Sequence, residues 1–249
     1  MKIVRCLNDV ELGAKVAEAA AQSLREAITG KGAAYLLVST GASQFTTFEA
    51  LLKADVDWPK VEMFHLDEYL DMPDTHPASF IKYLKERFTN HVSLKAAHFV
   101  DTNVSPCEII ERLTREITAK PIDIGLIGIG ENAHIAFNDP PADFEDEAAY
   151  KIVKLDDACR RQQFGEGWFP SFDDVPTEAI SMTVKQILKC KRIISAVPFK
   201  VKAQAIYNTF TAKEITPDIP ATALRMHKDV TVYLDADSAS LIDKNLTEV

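Results

Sequence analysis

The chain has no run of about 18 consecutive apolar residues, so nothing in it reads as a membrane-spanning helix. Its opening, MKIVRCLNDVELG, is too short in apolar length for a signal peptide, and the expectation is a cytoplasmic protein with no membrane partner. Cysteine is sparse: Cys6, Cys107, Cys159 and Cys190 stand without CxxC or CxxH spacing, which indicates neither a zinc site nor a redox pair and predicts reduced, mostly buried thiols. There is no Pro/Gly/Ser-rich linker, internal repeat or low-complexity segment, so a single domain over 1–249 is expected. An excess of positive charge is also missing. Twenty-eight basic against thirty-seven acidic residues give a net charge of −9, which repels phosphate backbones and argues against nucleic acid as a partner. A small anionic ligand would therefore need backbone amides or a few placed cations. The strand-to-helix turn STGAS (39–43) matches neither a Walker P-loop nor GxGxxG.

What the chain does have is enough length and apolar content, 47% of 249 residues, for a sizeable α/β core. Apolar positions recur with helical period from Val10 to Ile28 and stop at TGKG; AAYLLVST (33–40) is a short continuous apolar run, and FTTFEALLKA resumes the helical period. The alternation continues with VEMFHL, IDIGLIGIG, RIISAV and VTVYL as strands and ASFIKYLKERF, CEIIERLTREI, VKQILKC and KAQAIYNTF as helices. Strands apolar throughout, separated by amphipathic helices, predict a Rossmann-like, doubly wound, mostly parallel sheet with helices on both faces. Ligands in such sheets bind beyond the carboxyl ends of the strands. The most polar segments follow strands: STGASQ, DEYLDMPDTHPAS and GENAHIAFNDPP.

Each of these segments has a structural and a chemical reading. Ser39 to Ser43 either caps a helix or turns amides and hydroxyls toward an anion. Asp67 and Glu68, adjacent at a strand end, either cap and solvate a loop or place a carboxyl with a raised pKa in a crevice as general base. His134 is either a satisfied core histidine or a proton shuttle, with Asn132, Asn138, Asp139 and Glu131 in reach to fix its tautomer.

Taken together, STGAS, FHLDEYLDMPDTHPASF, GIGENAHIAFNDP and DIPATALRMH resemble the glucosamine-6-phosphate deaminase (isomerase) family, in the same order and at similar spacing from about Ala34 to Leu234. The sister family of 6-phosphogluconolactonases shares the fold but usually differs after this histidine. The resemblance implies conversion of an amino-sugar 6-phosphate to a ketose 6-phosphate and ammonia, with a small-molecule sugar phosphate as partner and no metal or organic cofactor. A homo-oligomer is left open. By resemblance, Asp67 moves the proton between C2 and C1, with Glu68 beside it; His134 serves ring opening; Asn132 and Asp139 assist and orient the histidine. Thr40, Gly41, Ala42 and Ser43 match the phosphate-cradling turn, and Lys202 matches the phosphate-binding lysine. Arg160 matches an arginine at the start of LDDACRR, while the usual phosphate arginine aligns with Gly165 or Gly167, which leaves Arg161 as a substitute.

The chain departs from the pattern within the site. Asn132 replaces an aspartate found in some members, Ala133 a usual glycine and Gln44 a common proline. Asp139 stands where glutamate is usual, a carboxylate shorter by about 1.5 Å, the length of one carbon–carbon bond. Two other readings follow: a lactonase-like hydrolase in which His134 activates water and Asp67 positions substrate, and a catalytically silent sugar-phosphate binder.

Overall fold

The computed structural model describes residues 1–101, 104–165 and 167–249. Among the described residues there are ten strands: β1 (Lys2–Arg5), β2 (Ala34–Val38), β3 (Val61–His65), β4 (Asp67–Tyr69), β5 (Ala96–His98), β6 (Ile124–Leu126), β7 (Tyr150–Lys154), β8 (Glu178–Met182), β9 (Arg192–Val197) and β10 (Val230–Leu234). The α-helices are α1 (Asp9–Lys31), α2 (Phe45–Leu51), α3 (Phe80–Leu84), α4 (Pro106–Thr118), α5 (Asp157–Gly165), α6 (Val184–Ile187) and α7 (Ala203–Thr211). Seven strands form one sheet in the order β1-β10-β9-β6-β2-β3-β5, and all six pairings are parallel.

Side chains on successive sheet residues alternate between two cores, as the pleat requires. Leu36 and Val38 of β2 pack with Leu12, Val16, Ala20 and Leu24 of α1 and Phe48 and Leu51 of α2. Leu37, between them, faces the other side with Ile109, Leu113 and Ile117 of α4 and Ile206 and Phe210 of α7. Both faces are therefore covered by helices, and the doubly wound architecture expected from the apolar strands is observed. Each fully buried leucine stabilises this arrangement by about 1.5–3 kcal/mol before entropy is counted. Gly13 lets α1 and α2 touch, since a Cβ there would lie 2.5 Å from Thr46.

Element edges differ from the sequence reading for local reasons. Helix α1 runs through the TGKG stretch to Lys31 and ends at Gly32, whose φ of 79° allows its N–H to bond Ile28 O. The Ala33–Thr40 run narrows to β2, and IDIGLIGIG narrows to β6, which frees residues 127–130 for a loop. ASFIKYLKERF is helical, but its second half, Lys85–Thr89, is π-helical.

The larger surprise is a second sheet, β4-β8-β7, antiparallel throughout. Strand β3 ends at His65, and one residue later the chain turns into β4, pairing Asp67 with Ser181. Three-residue strands carry too few positions to show a period, which is why β4 escaped the sequence reading. The first sheet holds the cleft, and the second brings one wall to it.

Candidate active site

Strands β2 and β6 lie side by side at the point where the winding of the main sheet reverses, and their following loops part there. A cleft of about 220 Å³ opens at that point, lined by Ser39–Ser43, Asp67, Phe80, Gly128–Glu131, His134, Gln162, Gln163, Phe199 and Lys202, with Ala136, Phe137 and Val201. The strand-end loops singled out in the sequence therefore meet in one cavity.

The turn after β2 forms one end. Gly41 adopts φ 101°, a conformation open to glycine, and the chain then enters a 3-10 turn over Ala42–Gln44 that leads into α2. First-turn N–H groups of such a helix have no intrahelical acceptor and favour an anion. Buried Ser39 Oγ, also on the cleft wall, has no hydrogen-bond partner among the described residues. Lys202, at the entrance to α7, brings a positive charge to the same cleft.

The loop after β6 carries the histidine. Gly130 N–H donates to His134 O (2.9 Å), and Ala133 N–H donates to Gly130 O (3.1 Å), closing a tight turn. The imidazole lies directly over Gly130: a Cβ there would stand 2.2 Å from Cε1 and Nε2 of the ring. Ala133, where glycine is usual, sits at φ 67°, and its methyl is buried among the core side chains. Burial of that group offsets left-handed strain of about 1–2 kcal/mol.

Asn132 Nδ2 donates to Asp139 Oδ1 (3.0 Å), and Asn132 Oδ1 accepts from His134 N–H (3.1 Å). His134 Nδ1 stands 3.1 Å from Asp139 Oδ1, close enough for an ion pair but off the line of a straight hydrogen bond. The distance establishes the pairing; catalytic bonds often tighten only when substrate is bound. Burial alone would raise the Asp139 carboxyl, but His134 above all, with Asn132 and Cys159, holds it below the usual range. Oδ2 of Asp139 is buried without a partner among the described residues, and Cys159 lies beside it. Ligand atoms of His134, Asp139 and Cys159 fall within 4.8 Å of one another, close enough to share a metal ion.

Asp67 enters the cleft from β4, with 6% of its surface exposed. Burial, then the charges of Glu68 and Asp139, push its carboxyl up to about 8, against the opposing Phe137 N–H. A carboxyl titrating near neutrality is suited to both taking and giving a proton.

Three of the residues expected in the site are elsewhere. Glu68, on the opposite face of β4 from Asp67, is turned to the start of α3, where it accepts from Ser79 Oγ, Ile81 N–H and its neighbour Tyr69 N–H. It does not line the cleft. Arg160 is spent on structure: its guanidinium donates to Phe172 O and Val175 O and covers the Phe172 ring. Arg161, its side chain 70% exposed, stands near Asp157 outside the cleft. Lys202 is the cation among the described residues that line the cleft.

The sequence reading missed Gln162, Gln163 and Phe199. Helix α5 presents the two glutamines: Gln162 Oε1 accepts from Glu131 N–H (3.3 Å), and Gln163 Oε1 accepts from Tyr69 OH (2.6 Å). A signal existed in DDACRRQQF, where Asp156 Oδ1 caps the helix by accepting from Cys159 N–H. Phe199 holds φ 82°, a costly backbone for a bulky residue, and its N–H is pinned by Asp235 Oδ2 (2.9 Å). Only tertiary packing sets that strain, so no sequence pattern announces it.

With this geometry in hand, residues 8–233 match the family model described as glucosamine-6-phosphate isomerases/6-phosphogluconolactonase. The glucosamine-6-phosphate deaminase of Streptococcus pneumoniae (strain Hungary19A-6) is 32% identical over 245 residues, covering 98% of this chain and 100% of the relative. That of Clostridium botulinum (strain Eklund 17B / Type B) is 32% identical over 253 residues, covering 98% and 97%. Among solved structures, a monomeric glucosamine-6-phosphate deaminase superposes with TM-score 0.88 at 30% identity, covering 97% of this chain and 100% of the other. A 6-phosphogluconolactonase from Thermotoga maritima, at 17% identity and TM-score 0.76 over 94% and 98% of the two chains, shares the fold. By the family match and the full-length relatives, the chain belongs to the glucosamine-6-phosphate isomerase/6-phosphogluconolactonase family.

Proposed function

We propose that this protein is an amino-sugar-6-phosphate deaminase, converting glucosamine 6-phosphate or a close epimer, with water, to a ketose 6-phosphate and ammonia. One observation carries the reading: a buried carboxyl raised toward neutrality, Asp67, shares a cleft with His134, and His134 is backed by Asp139 and Asn132. Full-length relatives named as deaminases support it.

In this reading the substrate phosphate lies on the Thr40–Ser43 turn with Lys202 as its counter-charge, which leaves the C1–C2 end toward Asp67 and His134. His134 takes the proton of the anomeric hydroxyl and returns one to the ring oxygen, opening the pyranose. Asp139 supports the imidazolium that forms, as a buried carboxylate held ionised is suited to do. Asp67 then removes the C2 proton while the aldehyde oxygen takes one from the substrate ammonium, giving an enolamine; Asp67 returns its proton to C1, and the resulting C2 iminium takes up water and releases ammonia. The net charge of −9 does not oppose this, because the anion is met locally by amides and Lys202.

The relative of known structure is a monomeric deaminase, which supports a site complete within one subunit. Four free cysteines, three of them buried, support a reducing, cytoplasmic setting. No helix among the described residues is long and apolar enough to cross a membrane.

The test is to incubate the protein separately with glucosamine 6-phosphate and 6-phosphogluconolactone. Equimolar ammonia and fructose 6-phosphate from the first, with no accelerated opening of the second, is the expected result. Lactone hydrolysis without ammonia would establish the hydrolase reading, and tight binding without turnover of either would establish the silent binder.

A further inference from the structure

Besides its pairing with Asp139, His134 belongs to a second cluster that the deamination scheme does not use. Nδ1 of His134 stands 3.1 Å from Asp139 Oδ1, while Oδ2 of the same carboxylate is buried with no N–H or O–H donor among the described residues and has the Cys159 thiol beside it. Buried polar atoms are normally satisfied, and a buried carboxylate oxygen that faces only a thiol calls for an explanation. The third member is Cys159, fully buried on α5 and held there by its own N–H bond to Asp156 Oδ1. Sequence spacing gave no hint of this group, since the members come from two segments about twenty residues apart. The fold alone brings them within 4.8 Å of one another.

We propose that His134, Asp139 and Cys159 form a binding site for a soft divalent cation of the zinc class, and that its occupation shuts off the deaminase.

The donor set decides the class of ion. Imidazole nitrogen, carboxylate oxygen and thiolate sulfur suit Zn²⁺, whereas Mg²⁺ and Ca²⁺ demand oxygen ligands. Zinc bonds of about 2.0–2.3 Å place ligand atoms roughly 3.3–3.8 Å apart in a tetrahedron, so the observed cluster needs side-chain shifts of only about 1 Å to close. Three protein ligands leave a fourth position, and His134 borders the cleft from which a water can fill it. Binding is a proton exchange: the Cys159 S–H bond breaks, sulfur keeps the electron pair and donates it to the metal, and one proton leaves to solvent.

The functional consequence follows from Nδ1. An imidazole held by metal at that nitrogen, with Asp139 drawn to the same ion, no longer has its carboxylate partner, and ring opening stops. The Thr40–Ser43 turn and Lys202 lie outside the cluster, so the phosphate end of the site is untouched. Loss of kcat with little change in KM is therefore the signature.

This rests on the deaminase reading for its activity readout but not for its binding readout, and the experiment keeps the two apart. The intact protein is titrated with Co²⁺ alone while the near-ultraviolet thiolate-to-cobalt charge-transfer absorption is followed, and Zn²⁺ is then added as competitor. The expected result is one equivalent of Co²⁺ bound with that absorption, displaced by Zn²⁺, and weakened about 100-fold or more in Cys159→Ala and Cys159→Ser, each checked by thermal melt. In parallel, stoichiometric Zn²⁺ should lower wild-type ammonia release about tenfold or more, a chelator should restore it, and the Cys159 variants should stay active with zinc present. Absence of the absorption in wild type, or zinc inhibition undiminished in both Cys159 variants, overturns the proposal. A wild-type protein that shows the absorption but never releases ammonia would sink the deaminase reading while leaving the metal site standing.

Discussion

The imidazole of His134 occupies space that only a glycine leaves free, because a Cβ at Gly130 would lie 2.2 Å from the ring. Gly130→Ala is therefore expected to push the ring aside and lower kcat about 100-fold, the scale of a 1 Å misplacement, with the melting temperature changed much less; near-normal kcat would contradict this positioning. The shorter carboxylate at Asp139 is no defect on the same geometry. Its Oδ1 already stands 3.1 Å from His134 Nδ1 and 3.0 Å from Asn132 Nδ2, so the backbone supplies the reach. Pro140 and Pro141 restrict the loop that delivers it. Asp139→Glu should then fail to raise kcat/KM and is expected to lower it several-fold by crowding the ring. A large gain in the same assay would mark the native loop as a degraded copy of the family site. Much of this was legible in the sequence, because His134, Asn132 and Asp139 lie within one loop and their chemistry is local. Cys159 was not, since its place beside Asp139 is made by the fold.

Elements decide which charges reach the ligand. Strand β4 sends adjacent carboxyls to opposite faces, Asp67 into the cleft and Glu68 onto α3, an outcome no count of acidic residues foretells. Helix α5 turns Gln162 and Gln163 to the cleft and commits Arg160 to Phe172 and Val175, so a motif match at Arg160 named a structural residue. Lys202, at the start of α7, lines the cleft, and in the proposed reading it meets the phosphate. Lys202→Ala is accordingly expected to raise KM for the sugar phosphate about 10-fold or more, on the scale of one charge-assisted bond. Arg161→Ala should leave KM within about twofold, as for an exposed charge outside the site. Steady-state kinetics with both variants checks the assignment, and the reverse ranking would return the phosphate to the α5 arginine.

At the scale of the whole molecule, the parallel sheet and its strand-end crevice were readable because fully buried strands advertise themselves as apolar runs. The antiparallel sheet was not, since β4 has three residues and β7, YKIVK, buries only Tyr150 and shows no apolar run. Yet that second sheet is what buries Asp67, and the burial has a global consequence. Its carboxyl titrates near 8 in the fold against 3.8 for an ordinary, solvated aspartate, so between these pH values the folded state holds the extra proton. Stability present below about pH 4 is thus lost as pH rises toward 8. Asp67→Asn removes this dependence, so its stability relative to wild type should climb from pH 5 to pH 8 in denaturant titrations; a constant difference would show that burial does not hold the proton. The central claim, that this buried carboxyl moves the substrate proton, is tested most directly by ammonia release from glucosamine 6-phosphate by the same Asp67→Asn variant. The expected result is a folded protein whose kcat falls far below a tenth of wild type, a barrier rise well over about 1.4 kcal/mol. Retention of more than about a tenth of wild-type kcat would contradict it, by the same conversion.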